Sequence, residues 1–288
     1  MKEVYALAAC GDGSRHVVQY FTSWEEDDVL HIQMEAAQGT LGAWIGNASA
    51  KQQGPFSPAK APPTLDHEAE LYRVAKQIAK ALQDLHAMGL AHLDVKPENI
   101  LLTRSGRYKL GDLGLVAKLD GSEGVEEGDS RYLSRELLCA SQTSANLAKC
   151  DMFSLGATLF ELALLKPLPS GGEDWQSIRD GAFEQLPSYF SPGFSSMLTS
   201  LLRSNPDDRP DATKLLQEIE RSLKEAAARG VVPPSPVCSV LSARSASPSD
   251  VLQRRNSDMT RCPTLDELFA NVSDTMVVED TQASIDLV

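Results

Sequence analysis

The sequence is short of basic charge, of patterned cysteine and of long apolar runs, and each shortage removes a class of protein. Only 27 lysines and arginines stand against 40 aspartates and glutamates, a net charge of −13. That balance argues against nucleic acid or an anionic membrane as the main partner and suits a basic or mixed protein surface. The five cysteines, Cys10, Cys139, Cys150, Cys238 and Cys262, are odd in number and scattered, with no C-x-x-C spacing. They read as reduced thiols and not as a disulfide frame or a zinc site. No apolar run approaches the roughly 20 residues that span a bilayer. Met1 is followed by Lys2-Glu3, without the apolar core of a signal peptide. A soluble, intracellular protein is expected, with no membrane and no nucleic acid among its partners. The 288 residues are enough for one folded domain and a tail.

What is present is concentrated between His92 and Gly114. The string His92-Leu93-Asp94-Val95-Lys96-Pro97-Glu98-Asn99 is followed by the apolar run Ile100-Leu101-Leu102, then by Tyr108-Lys109-Leu110-Gly111 and Asp112-Leu113-Gly114. Phosphoryl transfer needs a carboxylate for the acceptor hydroxyl, a cation for the moving phosphoryl, and an amide and second carboxylate for Mg²⁺. Asp94, Lys96, Asn99 and Asp112 are those groups, in order. The two apolar runs read as strands, and a hairpin between them would bring Asn99 and Asp112 together as metal ligands. As base or orienter, Asp94 would contribute about 10²–10⁴-fold. His92 fits a scaffold role beneath the loop.

Elsewhere the pattern alternates short strands with helices. Val4, Leu7 and Ala8 are spaced as on a helix, with Gly11 as a stop. His16–Phe21 and Val29–Met34 read as strands across the acidic turn Glu25–Asp28. Residues 51–63, rich in Pro, Gly, Gln and Lys, read as an exposed loop. Leu71, Val74, Ile78 and Leu82 predict an amphipathic helix ending near Met88-Gly89. Lys118 to Asp129 is polar and strandless. Leu155, Leu159, Leu162 and Ala163 mark a buried helix that stops at Lys166-Pro167, and helical periodicity returns over Phe194–Leu202 and Ala212–Ala228. From about Gly230 the chain is rich in Pro and Ser and poor in aromatics. Such a segment buries too little surface to fold alone, apart from a short helix over Leu265–Val272.

The string His92–Asn99 with Asp112-Leu113-Gly114 resembles the catalytic loop H-R-D-x-K-x-x-N and metal loop D-F-G of the protein kinases. The resemblance runs from Met1 to about Leu223. It takes in Glu136 at the place of the Glu of A-P-E, Asp151–Gly156 at the start of the large buried helix, and Arg209 in Pro206–Pro210, the late Arg that pairs with that Glu in kinases. The resemblance implies an α+β, two-lobed kinase fold with a truncated N-lobe sheet on a mostly helical C-lobe. The implied division is a partial N-lobe over 1–37, a C-lobe over 38–228 and a disordered tail over 229–288. It implies ATP and Mg²⁺ as cofactors. Glu3 falls where kinases place the Glu that pairs with the ATP-positioning Lys. Met34, Glu35 and Ala37 fall at the gatekeeper and hinge, where backbone groups of Glu35 and Ala37 would bond the adenine edge. Two positions depart from the pattern. Leu93 replaces the Arg that usually binds an activation-loop phosphate, which predicts a loop needing no such phosphate. No G-x-G-x-x-G and no strand Lys precede Glu3, so weak ATP binding is expected of the chain as written.

Glu126–Leu133, with its E-G-D and S-R-Y, is similar to the activation segment of the Wee/Myt kinases. Glu3–Ala8, His16–Trp24, Asp112–Gly114 and Leu168–Trp175 match the same family, nearer its soluble, nuclear Wee type than its anchored Myt type. That family inhibits cyclin-dependent kinases by phosphorylating a tyrosine in their glycine loop, which delays entry into mitosis. The resemblance therefore implies a cyclin-dependent kinase substrate and a nuclear location, with the cytoplasm as the alternative. Lys96, two residues after Asp94, is the serine/threonine-kinase arrangement, so the tyrosine acceptor rests on the resemblance alone. A non-catalytic kinase fragment acting as a binding module, and a serine/threonine kinase of another branch, are the competing readings. In the tail, Ser235 and Ser247 precede Pro, and Ser257 follows Arg254-Arg255-Asn256. Phosphate there would recruit an Arg-lined phosphopeptide adaptor.

Overall fold

The computed structural model describes residues 6–8, 10, 14–46, 65–122, 124–138 and 146–228, all within one compact unit. The expectations for Glu3, for the loop at 51–63 and for the tail, including Ser235, Ser247 and Ser257, lie outside them. Two acidic residues open the structure's first hairpin. Strands β1 (Tyr20–Glu26) and β2 (Val29–Met34) pair antiparallel with Glu26 opposite Val29. Asp27 and Asp28 at the turn both have positive φ, 53° and 60°. The type I′ two-residue hairpin turn requires positive φ at both central positions, and Asp tolerates it better than most residues. The expected strand over His16–Phe21 begins later than predicted. The Val18 amide donates to Leu110 O at 2.9 Å and the Leu110 amide to His16 O at 2.8 Å, so this tract runs beside a different strand before joining β1.

That different strand belongs to the hairpin read from the sequence. β5 (Ile100–Thr103) and β6 (Tyr108–Leu110) pair antiparallel, and β3 (Ala37–Thr40) adds to β5 as a third strand. Residue 37 is therefore the first of a strand whose partner lies at Thr103. A six-residue helix, α1 (Leu41–Gly46), follows. A further two-stranded ladder joins β4 (Leu90–Ala91) to β7 (Ala117–Lys118), just before the catalytic-loop string and just after Asp112–Gly114.

The helical body is built on α2 (Leu65–Ala87) and α4 (Leu147–Leu164). Helix α2 turns Leu71, Val74, Ile78, Leu82 and Leu85 inward, each fully buried. Burying such a side chain stabilises by about 1.5–3 kcal/mol. Helix α4 is apolar nearly all round and correspondingly buried on all sides; it starts four residues before Asp151, capped by the Asn146 side chain. Gly156 lets α6 (Pro192–Leu201) approach closely, because a Cβ there would lie 2.8 Å from that of Leu201. Helix α6 begins with Pro192 behind Ser191, whose hydroxyl accepts the Phe194 amide at 3.2 Å. Helix α7 (Ala212–Ala228) matches its predicted span. Two short helices, α3 (Arg135–Leu138) and α5 (Gly172–Arg179), complete the description. Among the described residues no helix is long and apolar enough to cross a membrane. Cys10 and Cys150 are buried free thiols, and burial pushes them up to about 11 and about 12.

Candidate active site

The loop from His92 to Asn99 leaves β4 and ends in a 3₁₀ turn over Pro97–Asn99 that enters β5. A buried carboxylate on α4 fixes its first residues. Asp151 Oδ2 accepts the His92 amide and Oδ1 the Leu93 amide, both at 2.8 Å, and Oδ2 also meets His86 Nε2 at 2.8 Å. These bonds hold Leu93 at φ 65°, a left-handed conformation that an L-leucine rarely adopts. His92 is fully buried. The Asp94 amide donates to its Nδ1 at 3.2 Å, so Nε2 carries the proton and donates to Gly111 O at 3.0 Å. Desolvation lowers the pKa of this imidazole. The neutral ring ties the catalytic loop to the residue before Asp112.

Asp94, 6% exposed, is gripped from three sides. Its Oδ2 meets Lys96 Nζ at 2.6 Å and accepts from Asn99 Nδ2 at 2.8 Å. Asn99 Nδ2 also donates to Asp94 O at 2.9 Å, which turns its Oδ1 away from that carboxylate. The third grip comes from the activation segment: the Asp129 amide donates to Asp94 Oδ1 at 3.3 Å. Gly128 makes this approach available. A Cβ at that position would stand 2.7 Å from Asp94 Oδ1 and 2.9 Å from Leu93 O, closer than any side chain tolerates.

The β5–β6 hairpin brings Asn99 and Asp112 together as expected, because the Gly111 amide donates to Asn99 O at 2.9 Å. Asp112 is exposed, at φ 57°, with its Oδ1 accepting the Gly114 amide at 3.2 Å. Leu113 behind it is fully buried. An amide oxygen and one carboxylate form the oxygen-donor set that Mg²⁺ uses when substrate phosphates and water complete its shell, so these residues fit that metal. At the other edge, Met34 ends β2 at 36% exposure. The Glu35 amide donates to Gln19 O, and Glu35 Oε1 accepts the Gln19 amide, both at 2.9 Å. Lys109 on β6 pairs with the same carboxylate. Ala37 is exposed at the start of β3.

The activation segment is ordered by contacts of two kinds. Leu93 packs in an apolar cluster with Ala117, Leu133, Leu137 and Leu147, joined by Leu119 and Val125 of the segment. An apolar Leu93 thus serves the segment by packing. Arg131 closes on Asp129, Nε to Oδ1 at 3.0 Å and Nη2 to Oδ2 at 2.6 Å, and this pairing lowers the Asp129 pKa. The Tyr132 hydroxyl, buried, donates to Glu161. Further on, Glu136 meets the buried Arg209 at 2.5 and 3.1 Å, the pairing anticipated from sequence. Burial raises the Glu136 carboxyl, but bonding and attraction from Arg209 outweigh it and the pKa ends below its ordinary value. Two supporting residues were not singled out from sequence for these roles: Asp151 as the brace of the loop and Lys109 as the partner of Glu35. Each carried a signal, a charged residue inside an otherwise apolar helix or strand.

A polar catalytic loop braced from a buried helix, a one-carboxylate metal loop and a Glu–Arg pair behind the activation segment are the parts of a phosphotransferase. The family model described as "Protein kinase domain" matches residues 1–219. The chain belongs to the protein kinase family. It is similar to Wee1-like protein kinases in particular. It is 38% identical to that of Arabidopsis thaliana over 216 residues, 75% of this chain and 39% of the relative. It is 39% identical to that of Oryza sativa subsp. japonica over 217 residues, 75% and 38% of the two chains. With Wee1-like protein kinase 2 of Danio rerio it shares 36% over 237 residues, 75% and 42%. The chain spans about two fifths of the length of these relatives.

Proposed function

We propose that the chain is an ATP-dependent protein kinase of the Wee type, which phosphorylates a tyrosine of a cyclin-dependent kinase and so delays mitotic entry in the nucleus. The observation that carries this reading is the assembly around Asp94. Its carboxylate is held by Lys96, Asn99 and the Asp129 amide in the arrangement a base or orienter for an acceptor hydroxyl needs. Lys96 sits beside it to meet the γ-phosphoryl as a point charge. Asn99 and Asp112 would hold Mg²⁺, which when bound would neutralise charge on the phosphates. Met34 lines the adenine end, and Glu35, its amide committed to Gln19, offers its carbonyl, with Ala37 as the neighbouring hinge contact. Glu3 is assigned the ATP-positioning pair by resemblance.

The acceptor type rests on the similarity to Wee1-like relatives and on the Glu126–Leu133 segment, since Lys96 is also compatible with serine or threonine. The test is phosphosite mapping by mass spectrometry. The full chain, Mg-ATP in large excess to offset the weak binding expected of it, and a cyclin-bound cyclin-dependent kinase should give phosphate on a tyrosine of the glycine loop. Phosphate confined to serine or threonine would overturn the acceptor assignment. No transfer to any protein substrate, with the chain folded, would favour the non-catalytic binding module.

A further inference from the structure

Arg179 is the last residue of α5 and is 1% exposed. A buried guanidinium ordinarily has a carboxylate beside it. Among the described residues none pairs with this one, and burial alone pushes its pKa down to about 10. Its donors go instead to backbone carbonyls. Nη2 donates to Ser130 O at 2.6 Å and to Arg131 O at 3.1 Å, and Nη1 donates to Trp175 O at 2.8 Å. Nε is buried without a partner among the described residues. The guanidinium lies 3.7 Å from the centroid of the Trp175 ring, and the Trp175 indole N–H donates to Ser130 O at 3.1 Å. Stacking of a desolvated cation on an indole is favourable, and bonds from a charged donor are stronger than neutral ones. The cation is therefore kept in place by a ring and by the two consecutive carbonyls it holds.

Those carbonyls are one and two residues beyond Asp129, whose amide reaches Asp94 Oδ1, and two and three beyond Gly128, whose missing side chain permits that reach. We infer that Arg179, with Trp175, is a positioning residue: it clamps the Ser130–Arg131 turn and thereby sets the register of the activation segment over the catalytic carboxylate. This inference rests on the kinase reading for its catalytic consequence, while the clamp itself is a property of the fold. It touches neither nucleotide nor acceptor. Its loss should therefore lower turnover on a protein substrate and leave the KM for Mg-ATP where it was.

The test uses two variants of the full chain. Arg179→Met removes the donors and keeps an apolar stem; Trp175→Phe keeps a ring and removes one N–H, at a half-buried site that spares the fold. Residue-resolved hydrogen exchange should speed up at the Asp129 and Tyr132 amides about tenfold in Arg179→Met and about threefold in Trp175→Phe, as expected for losing one to two bonds. The His92 and Leu93 amides, held by Asp151, should not change. Turnover should fall in the same order. Exchange at Asp129 and Tyr132 within twofold of wild type in both variants would overturn the clamp, and so would acceleration spread evenly over the chain. If Arg179→Met does not fold, Trp175→Phe decides alone by the same criteria. Absence of phosphoryl transfer from the wild-type chain would count against the proposed function, and the exchange result would still judge the clamp.

Discussion

The catalytic loop and the activation segment are both fastened to the helical body by buried charges, but of opposite sign. Asp151 takes the amides of His92 and Leu93, whereas Arg179 and Arg209 take carbonyls and one carboxylate. The sign follows from which backbone groups each turn leaves unpaired, donors in the first and acceptors in the second. The two arginines then differ from each other. Arg209 has Glu136 and three carbonyls, those of Lys149, Arg203 and Ser204. Arg179 has carbonyls alone and an indole face. The clamp on the Ser130–Arg131 turn thus lacks the carboxylate that Arg209 has, so it is the tie a mutation can loosen without unfolding the rest.

Breaking the strongest of these ties should cost most. Arg209→Met leaves Glu136 without its partner and should destabilise by about 3–5 kcal/mol, as loss of one member of a buried pair does; urea denaturation measures it. The pair also predicts a pH dependence. The folded-state pKa of Glu136 lies below the ordinary 4.5, so its contribution is complete above that value and is lost as pH falls through the depressed pKa. The stability gap between wild type and Glu136→Gln should accordingly be constant from pH 7 to 5 and close on further acidification. A gap that widens toward low pH would contradict the assignment.

Asp151→Asn keeps one acceptor and loses the charge that serves two amides and His86. A loss of roughly 1–3 kcal/mol is expected, with Leu93 exchange accelerated more than Tyr132 exchange. The smallest effect on stability, and the sharpest on the comparison, belongs to Gly128→Ala. The added methyl meets Asp94 Oδ1 and Leu93 O, so the segment must lift. Stability should change by less than about 1 kcal/mol, while turnover falls about tenfold, a scale set by small misplacements of reacting groups. Undiminished turnover would show that the segment's close approach to Asp94 is incidental.

Much of this was legible in the sequence. The β5–β6 hairpin shows in two apolar runs around a short turn, and α2 and α7 in their apolar spacing. The Glu136–Arg209 pair was reached through the kinase resemblance. What was not legible depends on tertiary partners. The tract His16–Gln19 reads as the start of a strand but is claimed by β6 before β1 begins. Helix α4 starts at Leu147, earlier than the apolar run suggested, because Asn146 caps it. Asp151 looks like a misplaced charge in an apolar helical pattern, and Arg179 like the ordinary basic end of a polar helix, until the backbone groups they serve are seen. Lys109 likewise sits in an apolar strand, and only the fold shows Glu35 opposite it.

The most direct test of the account is the rate of phosphoryl transfer by Asp94→Asn, measured beside its affinity for Mg-ATP and its melting behaviour. The change is nearly isosteric and removes the charge that accepts a proton. Transfer should drop by about 10²–10⁴-fold, with nucleotide affinity and cooperative unfolding preserved. A variant that still transfers phosphate at the wild-type rate would contradict the placement of catalysis at Asp94, and with it the reading of the whole site.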